Sequence, residues 1–226
     1  MTGLEKTSIK KTAKTFFSLV ILTLMLASFA SCSWKDAMTV DGEKVDFDSM
    51  SLEELSSYVQ IGQHKGVEVS LSAGQSKGEA VWNAVLQAST VKHYPETHVY
   101  YYVEQIKEQY AFYASDMGVT YKELLNVMGI DEADIISEAK EMTEKDIIYA
   151  IVRKTEGITL TDEEKEKHFS RYVELYVSEG EGGYGYTEEK GYGEEYVKTN
   201  MAEEIYGSML YDKTTEFLII NNTFVG

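Results

Sequence analysis

Most of this chain repeats one grammar. A capping residue comes first, an acid follows three places on, then comes an apolar stripe of helical period, and a glycine closes. Ser76 with Glu79 fits a capping box, and Ala80, Val81, Ala84, Val85 and Ala88 give one apolar face to a helix reaching about Val91. His93-Tyr94-Pro95 breaks it, and Pro95 is placed as the first residue of the next helix. That helix carries Val99, Val103, Ile106, Tyr110 and Tyr113 on one side and stops near Gly118. Thr120 with Glu123 opens a short helix closed by Gly129. Asp131 opens a longer one, with Ile135, Ala139, Met142, Ile147 and Ile151 inward until Gly157. Thr161 with Glu164 caps another, whose stripe is Phe169, Tyr172, Val173, Tyr176 and Val177. Helix resumes near Glu194, with Tyr196, Met201, Ile205, Met209 and Phe217 spaced for burial.

The pattern changes character in three places. Residues 32–50 lack hydrophobic periodicity and carry Asp36, Asp41, Glu43, Asp46 and Asp48, which suits an acidic tether over 32–57, with a short capped helical turn at Ser51-Leu-Glu-Glu54. The order of those acids does not meet the ligand spacing of a calcium loop. Residues 65–71 alternate like a strand with Val67, Val69 and Leu71 on one face, inside a short extended segment over 58–72. A lone strand needs a partner that the sequence does not name, and residues 223–225 read as a closing strand. Between 178 and 193 the composition shifts to Gly, Glu and Tyr, which resists helix and reads as a mobile loop or irregular segment. That segment is acidic and has no lysine at the spacing of a phosphate-binding loop. With one proline in 226 residues, the fold class is mainly α, and 76–226 contains no break of domain size.

The first 31 residues read as an export signal, not as part of the fold. Lys6, Lys10, Lys11 and Lys14 form a basic stretch, and residues 16–30 form an apolar run of fifteen. A spanning helix needs about 20 apolar residues, so the run is short for a permanent anchor. Phe29-Ala30-Ser31-Cys32 places two small residues before the only cysteine and resembles a bacterial lipobox, with Phe29 where an aliphatic residue is usual. The expectation is cleavage before Cys32 and lipidation of its sulfur; the alternative is ordinary cleavage after Ala30, which leaves Cys32 an incidental thiol. Two acyl chains, at about 0.8 kcal/mol per buried methylene, hold a protein stably where one chain is marginal. The expected location is the extracytoplasmic face of the cell membrane.

Charge narrows the partners. The full chain has 21 basic and 38 acidic residues, a net −17; without the signal, 17 basic and 37 acidic residues remain, a net −20. Such a field repels a phosphate backbone and anionic lipid alike, which excludes nucleic acid and leaves the acyl chains to do the anchoring. The search for chemistry finds no nucleophile with its base and no paired carboxylates that stand above chance, so no catalytic, cofactor-binding or metal-binding residue is assigned. His64, His93, His98 and His168 show no metal spacing and read as surface histidines. The seventeen tyrosines are the unusual feature, with Tyr100, Tyr101 and Tyr102 consecutive. Successive helical positions are about 100° apart, so at least one of these rings faces away from the core. Either the three pack along neighbouring helices, or they form an amphipathic binding surface suited to contact with many partners.

The order of these elements resembles the C-terminal, substrate-binding domain of trigger factor. The resemblance is carried by Val81-Trp-Asn-Ala-Val85, His93-Tyr94-Pro95, the Tyr-rich helix ending at Gly118-Val-Thr-Tyr-Lys-Glu123, Met128-Gly-Ile-Asp131, the 147–151 helix core, the 155–164 run and Phe217-Leu218. It spans residues 76–226, and residues 58–69 resemble the segment before the isomerase domain of exported trigger-factor-like lipoproteins. Those relatives carry an FK506-binding-type prolyl isomerase domain at that point; here only residues 70–77 separate the two parts, too few for a proline pocket. The family's ribosome-binding domain is also not visible, so a ribosome partner is not expected. The resemblance implies an elongated multi-helix domain with protruding arms and a concave surface for unfolded chains. The expected function is a lipid-anchored chaperone for unfolded or newly exported polypeptides, working without nucleotide. The rivals are a residual prolyl isomerase and an adaptor for one dedicated surface partner.

Overall fold

The structure, a computed structural model, describes residues 42–177 and 193–226. Eight helices lie among them: α1 Leu52–Tyr58, α2 Lys77–Ala88, α3 Glu96–Asp116, α4 Tyr121–Met128, α5 Glu132–Thr155, α6 Asp162–Val177, α7 Glu194–Asn200 and α8 Ala202–Ile220. Four short strands accompany them: β1 Val59–Gln60, β2 Glu68–Ser70, β3 Thr90–Val91 and β4 Thr223–Val225. The chain is therefore mainly α, as its periodicity predicts. It packs as two compact units: one holds Tyr94–Lys145 with the stretch up to Asp46, the other Phe47–His93 and Asp146–Gly226. The 178–193 segment, apart from Gly193, lies outside the described residues, as do the signal and Cys32.

Local chemistry sets the helix starts. Ser51, Ser76 and Thr120 each accept a hydrogen bond from the backbone N–H of the glutamate three residues on, whose carboxylate accepts from the cap's own N–H. Thr161 and Glu164 exchange the same pair of bonds at 3.2 and 2.8 Å. At the start of α5 the reciprocal pair is Asp131 with Asp134. These bonds satisfy N–H groups that a helix start otherwise leaves unpaired. Gly129 ends α4 in the left-handed region at φ 66°, where a side chain would be strained. Pro95 sits one position earlier than expected, as the residue preceding α3.

The first unit is built on α3, α4 and the first half of α5. Val99, Val103, Ile106, Tyr110 and Ala114 of α3 meet Leu124 of α4 and Ile135 and Ala139 of α5 in one buried cluster, with Tyr102, Tyr113, Met128 and Met142 packed against it. The stripes read from the sequence thus supply this core, with Tyr113 at its margin.

In the second unit α2 packs on α8, and α8 also packs on α6 and α7. Buried positions on α2 are Ala80, Val81, Trp82 and Val85; Trp82, outside the expected stripe, joins them, whereas Ala88 is exposed. The indole N–H of Trp82 donates to Thr215 Oγ1 at 2.8 Å, and its ring stacks on Tyr211 at 5.7 Å and 13°. The second half of α5 buries Ile147, Ile148, Ala150, Ile151 and Val152, so the helix passes from a one-sided stripe to burial on nearly every side. On α6, Val173 is fully buried, with Phe169, Tyr172 and Val177 half-buried. α2 stops at Ala88 because Thr90 and Val91 pair antiparallel with Gln60 and Val59. β2 finds its partner 155 residues on, in parallel register with Val69 opposite Phe224.

Candidate functional site

The two halves of the predicted tyrosine surface behave differently. Tyr100 is 58% exposed and faces away from the core, whereas Tyr101 and Tyr102 are half-buried. Their rings close around His98, at 5.7 and 5.0 Å between centroids, and lie 5.3 Å from each other. His98, read as a surface histidine, is fully buried, and its Nδ1 accepts a 2.9 Å hydrogen bond from the backbone N–H of Val45. A buried ring nitrogen needs such a partner. His64 also departs from the expectation: its Nε2 meets Glu156 Oε1 at 2.7 Å, with only 11% of its side chain exposed. Lys65 reaches the other oxygen of Glu156 at 2.8 Å. Burial pushes the Glu156 carboxyl up, but the hydrogen bonds from Lys65 and His64 together hold it below its usual range. His93 is exposed, against the ring of Tyr58, and His168 is half-buried.

Sequence reasoning missed a second set of exposed apolar side chains. In the first unit these are Phe112 (66% exposed), Met117 (65%), Val119 (39%), Val127 (84%) and Ile136 (38%). Phe112 and Met117 stand at the end of α3, Val119 in the connection that follows, and Val127 on the outer side of α4, whose inward residue is Leu124. Their signal is negative: Phe112, Val127 and Ile136 lie off the buried stripes of their helices, and Met117 and Val119 lie between two helices, where no stripe runs.

The polar side of this unit is acidic, with eleven Asp and Glu against four Lys over Tyr94–Lys145. Burial, and then the neighbouring Glu141, push the Glu138 and Glu144 carboxyls up. Burial likewise pushes the Tyr94 and Tyr110 hydroxyls up, and facing carboxylates add to it. Lys107 pairs with Glu132 at 2.7 Å, linking α3 to α5.

No protein-family model, curated protein or solved structure matches this chain. Among the described residues no group of three or more His, Cys, Asp or Glu is placed to hold a metal ion, and no helix is long and apolar enough to cross a membrane. In the second unit a depression of about 370 Å³ lies over Phe169 and Tyr206 and is rimmed by Asp162, Lys165, Glu166 and Ser170. Its two rings pack at 5.4 Å and Lys165 sits 5.3 Å above Tyr206, so the rim is a set of solvated side chains over a packed aromatic floor. The arrangement with most to offer a partner is the set of exposed apolar side chains on α3 and α4, which offer contact area without a defined pocket.

Proposed function

We propose that this protein is a lipid-anchored extracytoplasmic chaperone that holds apolar segments of unfolded or newly exported polypeptides without nucleotide. The observation that carries this reading is the exposure of Tyr100, Phe112, Met117, Val119, Val127 and Ile136 in the first unit. Large apolar side chains left in water offer contact area to the apolar segments of an unfolded chain. The acidic remainder of the unit adds to the case. Like charges keep copies apart while the apolar side chains stay available. The resemblance to the trigger factor substrate-binding domain supports the same reading through its motifs, and the lipobox-like residues before Cys32 support the anchor.

An aggregation assay tests it. The chain from residue 33, without lipid, is added as a chemically denatured model protein is diluted to refold. Suppressed light scattering at near-stoichiometric ratios, with no nucleotide present, is the expected outcome. Unchanged scattering across several clients would remove the chaperone reading and favour an adaptor with one partner.

A further inference from the structure

Residues 42–46 belong to neither helix nor strand, yet they lie along the start of α3. Gly42 approaches so closely that a Cβ there would fall 2.2 Å from the Tyr101 backbone nitrogen and 2.6 Å from the Tyr100 carbonyl carbon. Three residues on, the Val45 N–H donates to the buried Nδ1 of His98. The segment therefore lies against α3 at His98 and at the backbone between Tyr100 and Tyr101. It does so as an incoming unfolded chain would: in irregular conformation, with a backbone donor and a half-buried apolar side chain at Val45. Beyond it the chain is held in the second unit, where Phe47 is buried, Asp48 pairs with Arg153, and Lys154 Nζ donates to the Asp48 carbonyl at 2.7 Å.

We infer that residues 42–46 are a built-in cover, occupying α3 at His98 and Tyr101 in place of a client, and that their withdrawal extends the polypeptide-binding surface from Tyr100 onto Tyr101 and His98. The inference rests on the polypeptide-binding reading above. A segment outside any helix or ladder opens without cooperative unfolding of its neighbours, which lets client and cover compete for one face. Competition lowers the apparent affinity of the covered protein by the fraction of time the face is open.

The test uses the full mature chain and a fluorescently labelled, reduced and iodoacetamide-capped model protein as a permanently unfolded client. Gly42→Ala adds only the Cβ that the α3 backbone excludes, and Val45→Pro removes the donor to His98. Both variants are expected to exchange amide hydrogens faster across 43–46, to keep their helical circular dichroism, and to bind the client several-fold more tightly. Faster exchange with unchanged or weaker affinity would overturn the cover, and so would exchange that does not change at all. If neither the wild type nor the variants bind any client, the polypeptide-binding reading falls and takes the cover with it. Should a variant fail to fold, exchange of the wild-type segment with and without client decides: faster exchange on binding supports competition, and slower or unchanged exchange refutes it.

Discussion

At the scale of single residues, two glutamates are tuned in opposite directions by their surroundings. The Glu164 carboxylate accepts from Lys213 Nζ at 2.6 and 2.8 Å and from the Thr161 N–H, and these bonds hold its pKa down to about 2. A depressed carboxyl stabilises the fold above its unfolded pKa, and that contribution is lost as pH falls through the folded value. Glu164→Gln is therefore expected to lower the thermal midpoint at neutral pH, with the gap to wild type closing as pH drops from 4.5, the ordinary value, toward about 2. Glu138 is the reverse case, because burial raises its pKa and the ionised form is the costly one in the fold. Its stabilising influence is present below its unfolded pKa and is lost as pH rises through the folded one. Glu138→Gln is expected to raise the midpoint at pH 7 and to make no difference at about pH 3, where both states are protonated. Melting curves across pH check both. An effect of the same sign in the two variants at neutral pH would contradict these environments.

At the scale of elements, helix starts were the most legible feature of the sequence and partner choice the least. The boxes at Ser76, Thr120 and Thr161 stand where the spacing places them, because a cap involves only a hydroxyl, a carboxylate and the N–H groups of one turn. Ser76→Ala should destabilise the protein by about 1 kcal/mol, measured by denaturant unfolding, with little change in the dependence on denaturant. A loss near zero would mean that the α2–α8 packing alone fixes the start of α2. Stripes were less secure. Trp82 is buried although it lies beside the read stripe, because Thr215 and Tyr211 of α8 give its N–H and its ring partners. His98 went inside for the same kind of reason, and nothing within α3 announces that residue 45 will supply a donor.

At the scale of the whole molecule, the chain leaves the second unit at His93 and returns at Asp146, so the first unit interrupts the other in sequence. The uninterrupted run of helical stripes conceals this, since α5 carries its apolar positions straight through the crossing. The exposed side chains of the first unit are the functional claim at this scale. Phe112→Ser with Met117→Ser should weaken binding of an unfolded client by about tenfold, the equivalent of losing roughly 1–2 kcal/mol of apolar contact. The thermal midpoint should stay near that of wild type, because both side chains already face water. Wild-type affinity in that double variant would move the binding surface elsewhere. The anchor has a separate check: Cys32→Ala should shift the mature protein from the membrane fraction to the soluble one, and unchanged retention would dismiss lipidation.

The sequence by itself determined where helices begin, where Gly129 and the glycines like it stop them, the mainly α class and the acidic charge. Each of these is settled within a turn or two of chain, by bonds and conformational preferences that need no distant partner. Only the tertiary structure decided the division into two units, the pairing of β2 with β4, the burial of Trp82 and His98, and which apolar side chains were left outside. Those depend on which surfaces meet across long stretches of chain. An apolar residue reads alike in sequence whether a neighbour covers it or water does.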